Sequence, residues 1–399
     1  MNECWYINAV DADGQALNIL VREGCIAALE RTGMAPSPAQ NTVDLNGRVI
    51  LPAFVDGHIH LDKSFLGDRW RSHQAVRSLR ERLAVEKAAL VDALPIQQRA
   101  RALLAQAASF GTQAMRSHVD VDATTGLDHL HAVMQVCDEW KDRMDIELVA
   151  FPQAGVVSCP GTAQVLEAAA REGVEVIGGI DPSTLDADPE GQLDILFSIA
   201  DRHGAKLDIH LHEPGEICRA QLQRIAQRTQ ALGLEGRVAV SHAYGLGDLG
   251  EGDLADAAQE LAKAGIAIMT NAPGNHGFPP VLALREAGVT VFTGNDNIQD
   301  AWWPYGNGDM LQRAMLIGYR SGFYLDSELM VGLDMATHAA ARVLGLRDYG
   351  VQVGHPAHFV AVAAPNAAAA VAAAPAQRTI VRHGRMLIQE PGGSCGSGS

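Results

Sequence analysis

LPAFVDGHIHLDKSF, residues 51–65, joins an apolar run to two histidines one residue apart. Val49, Ile50, Leu51, Ala53, Phe54 and Val55 favour a strand, and on an extended chain alternate side chains share a face. His58 and His60 therefore point the same way and can reach one metal ion. An H-x-H pair alone is short and common. Two strand-end histidines satisfied by backbone carbonyls are the simpler reading until the rest of the chain is considered.

Outward from this stretch the pattern is regular. Apolar runs expected as strands at 49–56, 113–120, 147–152, 174–180, 206–212, 237–243, 266–272 and 289–296 alternate with Ala-rich helical runs, such as Ile96 to Ser109, Leu127 to Trp140 and Cys218 to Ala231. Parallel strands need a crossover, and eight βα units in about 250 residues predict an α/β fold, a closed (β/α)8 TIM barrel. An open doubly wound sheet is the alternative. No G-x-G-x-x-G or G-x-x-x-x-G-K-[ST] loop supports its nucleotide-binding versions.

Residues 1–48 read as short strands and turns, and strand-like runs return after Gly350 at 359–363, 379–383 and 386–388. Both chain ends are expected to form one small β-sandwich module. The division is then 1–48 and 350–390 for that module, 49–349 for the catalytic barrel and 391–399 for a flexible tail. The Ala-rich run 367–374 reads as a surface helix or loop. The insertion at 66–95 is long, charged and helical, and long loops at this face of a barrel often act as lids.

With 399 residues, 47% hydrophobic and 20% charged, the chain can build a sizeable core. A net charge of −16 gives an acidic surface, which excludes nucleic acid and anionic membrane as expected partners. Six scattered cysteines without a C-x-x-C pair suit reduced thiols. There is no signal-peptide pattern and no uninterrupted apolar span, so the expectation is a cytoplasmic protein. A homo-oligomer is the expected assembly.

Barrel enzymes draw their functional side chains from the C-terminal ends of strands. Among 15 histidines, that rule selects His58, His60, His118, His210, His212 and His242, with Asp296 at the end of the eighth strand. His58, His60, His210 and Asp296 make a candidate site for one divalent transition metal with an open position. Strand 4 ends in GGIDP, without a lysine to bridge a second ion. Glu213, three residues beyond His210 in HLHE, stands near the ion as a candidate proton shuttle. His212 reads equally as a supporting or a catalytic contact, and His118, Asp120 and Asp122 as structural groups. His129, His131 and His203, on expected helices, read as solvated.

LPAFVDGHIHLDKSF, HLHE, SHAY (241–244) and GNDNIQDAW (294–302), with RSHVDVD, AFPQAG and YGNGDMLQ, resemble the amidohydrolase superfamily in its cytosine deaminase-like branch. The resemblance spans roughly residues 45–350. It implies His58, His60, His210 and Asp296 as ligands of Zn2+ or Fe2+, Glu213 as proton shuttle, His242 as the contact to the metal-bound water, and Gln153 as a hydrogen-bonding partner of the substrate ring. Asn297 and Trp302 are further candidate substrate contacts. Two departures matter. Cytosine deaminases have aspartate at the position of Asn297, and DKSF is closer to N-isopropylammelide isopropylaminohydrolase, a relative that lacks the glutamate found at Glu213.

The function expected from these residues is hydrolytic deamination of a cytosine-like aminopyrimidine, with Asp296 or Glu213 protonating the departing ammonia. A divalent ion lowers the pKa of its bound water from about 15.7 toward neutrality and supplies the attacking hydroxide. Hydrolysis of an N-alkylated aminotriazine or another cyclic amidine or amide is the alternative among enzymes. A non-catalytic assembly barrel is the alternative outside them, and metal analysis separates it from both.

Overall fold

The computed structural model describes residues 3–31, 41–274 and 276–387. The tail at 391–399, Cys395 and the end of the last expected strand at Ile388 lie outside them. Two eight-stranded sheets organise the chain.

The first sheet takes β1 (Glu3–Val10), β2 (Ala16–Arg22), β3 (Cys25–Glu30), β4 (Thr42–Asp44) and β5 (Val49–Pro52) from the N-terminal side. The second contains β6 (Phe54–Ile59), β7 (Thr112–Asp120), β8 (Asp145–Phe151), β9 (Val176–Ile180), β10 (Lys206–Leu211), β11 (Val238–His242), β12 (Ala267–Met269) and β13 (Val291–Phe292). From the C-terminal side, β14 (Phe359–Val362), β15 (Arg378–Arg382) and β16 (Arg385–Leu387) return to the first sheet. Strands β6 to β13 pair in parallel in sequence order, forming the expected (β/α)8 barrel with a flanking module from both chain ends. Their side chains are buried almost throughout, as parallel strands covered by helices require.

The apolar run at 49–56 is not one strand. Val49–Pro52 pairs antiparallel with β14 in the mixed sheet, and the barrel begins at Phe54. Between them the Ala53 carbonyl accepts the Tyr349 hydroxyl instead of a strand neighbour. The run at 367–374 forms the expected helix, but in a largely buried setting rather than on the surface. Ala367–Ala373 is a helix, capped where the Asn366 side chain accepts from Ala369 N at 2.8 Å. Its Ala367, Ala370 and Val371 are buried against Val49, Leu51 and Val360, because alanine lets a helix approach a sheet closely.

The barrel closes where β6 meets the chain beyond β13. Gly57 N donates to Thr293 O at 3.1 Å, Asp296 N donates to His58 O at 2.7 Å, and Ile59 bridges Asp296 in parallel. Glycine is required on both sides. A Cβ on Gly57 would lie 2.4 Å from the Phe292 ring, and one on Gly294 would lie 2.3 Å from His58 N. The second clash is with backbone, which cannot rotate away. Gly294→Ala is therefore expected to lower stability by about 1–3 kcal/mol, the usual range for overpacking. Thermal unfolding beside the wild type checks this, and an unchanged melting temperature would contradict so close an approach.

Candidate active site and metal centre

The strand-end residues meet at the C-terminal rim. His58, His60 and His210 offer nitrogens within 4.8 Å of one another, as do ligand atoms of His58, His242 and Asp296. His58 Nε2 and His60 Nε2 stand 3.5 and 3.3 Å from Asp296 Oδ1. Tetrahedral zinc with ligands at about 2.0–2.1 Å has ligand–ligand edges of about 3.3–3.4 Å, so these separations fit an ion.

The surrounding hydrogen bonds reinforce that fit. Asp208 accepts from Arg116 Nη1 at 2.8 Å and from Ser241 Oγ at 2.6 Å. The Ser241 hydroxyl proton is thus committed, and its oxygen must accept from His58 Nδ1 at 2.9 Å. The His58 proton is fixed on Nδ1, leaving a lone pair on Nε2, as a metal ligand requires. Nε2 of His58 and both nitrogens of His210 are buried without a hydrogen-bond partner. Burial holds both imidazoles well below their ordinary pKa, so they are neutral at pH 7.

Asp296 is steadied by Asn271, whose Nδ2 donates to Oδ2 at 2.7 Å. Burial opposes its ionisation, but His242, His60 and His58 hold its carboxyl below the usual range. Its φ of 60° and the φ of 73° at His242 belong to left-handed conformations that recur just beyond the barrel strands. Strain of this kind collects where side chains must be aimed at a site.

Glu213 has two differently placed oxygens. Oε1 accepts from Ser183 N at 2.8 Å and Thr184 N at 2.6 Å. Oε2 is buried and unpartnered. Burial raises the carboxyl's pKa, which suits a group that must take up a proton and give it back. His242 lies nearby with Nδ1 3.2 Å from the Tyr244 hydroxyl, and burial lowers its pKa to about 3.

A cavity of about 1090 Å3 opens over these groups, lined also by Gln153, Asn297, Trp302 and His212. The Trp302 indole N–H is buried without a partner. Asn297 Nδ2 donates to Asp300 Oδ2 at 2.6 Å, which commits part of the amide expected to face the substrate. His212 Nδ1 pairs with Asp181 Oδ2 at 2.9 Å, and its ring stacks on His242 with centroids 4.6 Å apart. His118 stacks on His58 at 3.8 Å, and neither of its ring nitrogens has a hydrogen-bond partner. Asp122 orders the neighbouring loops, accepting from Thr124 N at 2.7 Å and Ala154 N at 3.1 Å.

The histidines expected to be solvated have partners. His131 and His203 make surface pairs at 2.8 Å with Glu172 and Glu167, and His129 Nδ1 lies 2.9 Å from buried Asp62. Missing from the sequence reading were Arg116 and Asp208 as the source of the His58 orientation, Asn271 and Arg313. Asn271, polar at the end of an expected strand, carries the signal that selected Asp296. Arg313, which donates to Asn271 O at 2.8 Å and Asn295 O at 3.0 Å, reaches the rim from a helix and leaves no such signal.

A parallel barrel with such a cluster at its rim has the amidohydrolase catalytic architecture, with a buried centre able to hold a divalent metal. Residues 41–387 match the amidohydrolase family, and the chain belongs to it. N-isopropylammelide isopropyl amidohydrolase of Pseudomonas sp. (strain ADP) is 30% identical over 361 residues, covering 88% of this chain and 89% of that protein. The crystal structure of N-isopropylammelide isopropylaminohydrolase from Burkholderia multivorans superposes with a TM-score of 0.91 at 39% identity, covering 97% of this chain and 98% of that one. A 5-methylcytosine deaminase from Klebsiella pneumoniae, liganded with 5-fluorocytosine, gives a TM-score of 0.86 at 27% identity and covers 98% of each chain.

The hydrogen-bond chain behind His58 yields a prediction. Ser241→Ala leaves His58 Nδ1 without its acceptor, and loss of such a partner typically costs 10–100-fold in metal affinity. Competition against a chelator should show a fall of about that size. Unchanged affinity would mean that the chain does not set the tautomer.

Proposed function

We propose that the protein hydrolyses the exocyclic C–N bond of an amino-substituted triazine of the isopropylammelide kind, replacing the amine by oxygen and releasing it. The observation that carries this reading is the unpartnered Oε2 of Glu213 in the same cavity as the histidine–aspartate cluster. The triazine class is favoured over cytosine by the higher identity to the isopropylammelide enzyme. The cavity supports it too, since about 1090 Å3 exceeds the needs of one bare ring and its outer wall carries Trp303, Tyr305 and Tyr319, suited to an N-alkyl group. Deamination of a cytosine-like ring is the second reading, favoured by the retention of Glu213.

His58, His60, His210 and Asp296 would hold one divalent ion, Zn2+ or Fe2+. Such an ion acts as a Lewis acid and brings the pKa of water from about 15.7 toward 7. Glu213, anchored through Oε1, takes a proton from the attacking water on Oε2 and passes it to the adjacent ring nitrogen. His242 faces the oxygen that adds to the ring and steadies its developing charge. Gln153, Asn297 and Trp302 orient the ring. The balance is one water consumed, one exocyclic C–N bond broken, one C–O bond formed at the same ring carbon, and the water's two protons placed on the ring nitrogen and on the departing amine.

Glu213→Gln retains shape and hydrogen bonding but cannot accept the proton. Turnover should fall by about 10²–10⁴-fold with metal content unchanged, whereas His210→Ala should lose the metal itself. Amine release from N-alkylaminotriazines and ammonia release from aminopyrimidines, measured side by side on metal-loaded protein, test the substrate class. A clear preference for the pyrimidines would overturn the triazine assignment. Full turnover in Glu213→Gln would remove the residue from the mechanism.

A further inference from the structure

The insertion at 66–95 contains the helix α1 (Leu79–Val91), begun by Ser78, whose side chain accepts from Glu81 N at 3.2 Å. A helix resting on a protein normally buries an apolar stripe. Here Leu79, at the helix start, packs against Phe151, Ile180 and Leu185, but Leu83, Val85 and Leu90 are only half-buried and Val91 is exposed. Among the helix's described side chains, Glu86 alone is buried.

A buried carboxylate must be paired and hydrogen-bonded. Glu86 Oε2 accepts from Gln153 Nε2, while Oε1 lies 3.7 Å from the buried Lys63 ammonium. Lys63 is also 2.9 Å from Asp120 Oδ1 and lies over the Phe151 ring, 5.1 Å from its centroid. Phe151 in turn stacks on His210 with centroids 4.1 Å apart. The helix is thus joined by charge to the wall that carries the histidine cluster.

An ionised carboxylate only accepts hydrogen bonds. The Gln153 amide must therefore turn its nitrogen toward Glu86, since the flipped amide would set oxygen against oxygen. Gln153 lines the cavity, and its Oε1 has no partner among the described residues. We propose that Glu86 is a positioning residue of the insertion helix that locks Gln153 with Oε1 turned to the cavity, so that the site selects rings presenting an N–H donor on that edge. The inference rests on the reading of the cavity as a heterocycle site and adds a rule for which rings it accepts. A ring with a bare nitrogen on that edge would face Oε1 with lone pair against lone pair.

The test is calorimetric titration of metal-loaded protein with two rings that need no turnover: uracil, whose ring nitrogens carry protons, and dimethoxypyrimidine, whose ring nitrogens are bare. Leaving a buried acceptor unpaired corresponds to about 5-fold to 150-fold in affinity, and the wild type should prefer uracil by a factor in that range. In Glu86→Gln the new amide can meet Gln153 in either orientation, so Gln153 can turn and the preference should collapse at least about 5-fold. Glu86→Asp, which keeps an acceptor-only group, should retain it. If Glu86→Gln does not fold, Gln153→Leu, which leaves the Lys63–Glu86 pair in place, should abolish the preference instead. A uracil preference that survives intact in Glu86→Gln, or in Gln153→Leu, overturns the positioning role alone. A wild type that binds neither ring overturns the heterocycle reading and this inference with it.

Discussion

The closure of the barrel between its first and eighth strands is the constraint on which the site depends. Asp296 N reaches His58 O at 2.7 Å because neither Gly57 nor Gly294 carries a side chain. That contact brings a carboxylate from one end of the barrel sequence to within 3.5 Å of histidines from the other. Any wider closure would draw Asp296 Oδ1 away from the H-x-H pair. The same few ångströms thus complete the sheet and assemble the cluster.

Around it, buried charge is arranged so that each group has a defined partner. Arg116 lies between Glu147 and Asp208, and Asp208 sends its remaining hydrogen-bonding capacity through Ser241 to His58. Burial of such groups is costly unless every member is satisfied. Among the polar atoms left over, those on His60, His210, Glu213, Asn271 and Trp302 line the same cavity and mark a place that expects a ligand. In native proteins most buried polar groups are paired, so several orphans on one cavity wall are informative where a single one would not be.

Much of this was legible in the sequence, for identifiable reasons. Alternating apolar and amphipathic runs have a period, and the period gives the barrel. The strand-end rule then finds His58, His60, His210 and Asp296 without any knowledge of their contacts. What escaped has little local signature. The transfer from one sheet to the other at Ala53 is marked only by Pro52, which cannot donate to a ladder, inside a run that is otherwise apolar. The buried alanines of 367–373 look like exposed ones, since alanine suits both settings. Asp208 points inward from a strand whose neighbours are apolar, and only the fold shows that Arg116 and Ser241 await it. Glu86 sits in an insertion crowded with Arg77, Arg80, Glu81, Arg82 and Lys87, where one more charge reads as solvated surface.

That last case shows how an insertion helix can be more than a cover. Docked through an apolar stripe, a helix would exclude water and leave the chemistry of the wall unchanged. Docked through a carboxylate, it alters the wall, because Glu86 takes one face of the Gln153 amide and shares the Lys63 charge with Asp120. Burial and the neighbouring carboxylates Asp62 and Glu86 push Asp120 up to about 7, while Lys63 opposes them. Withdrawing the helix would remove one of those carboxylates, free the amide to turn, and leave Lys63 to Asp120 and Asp62. The position of the insertion and the hydrogen-bonding character of the cavity wall are therefore one variable, and a ring that fits the docked wall also favours the docked helix.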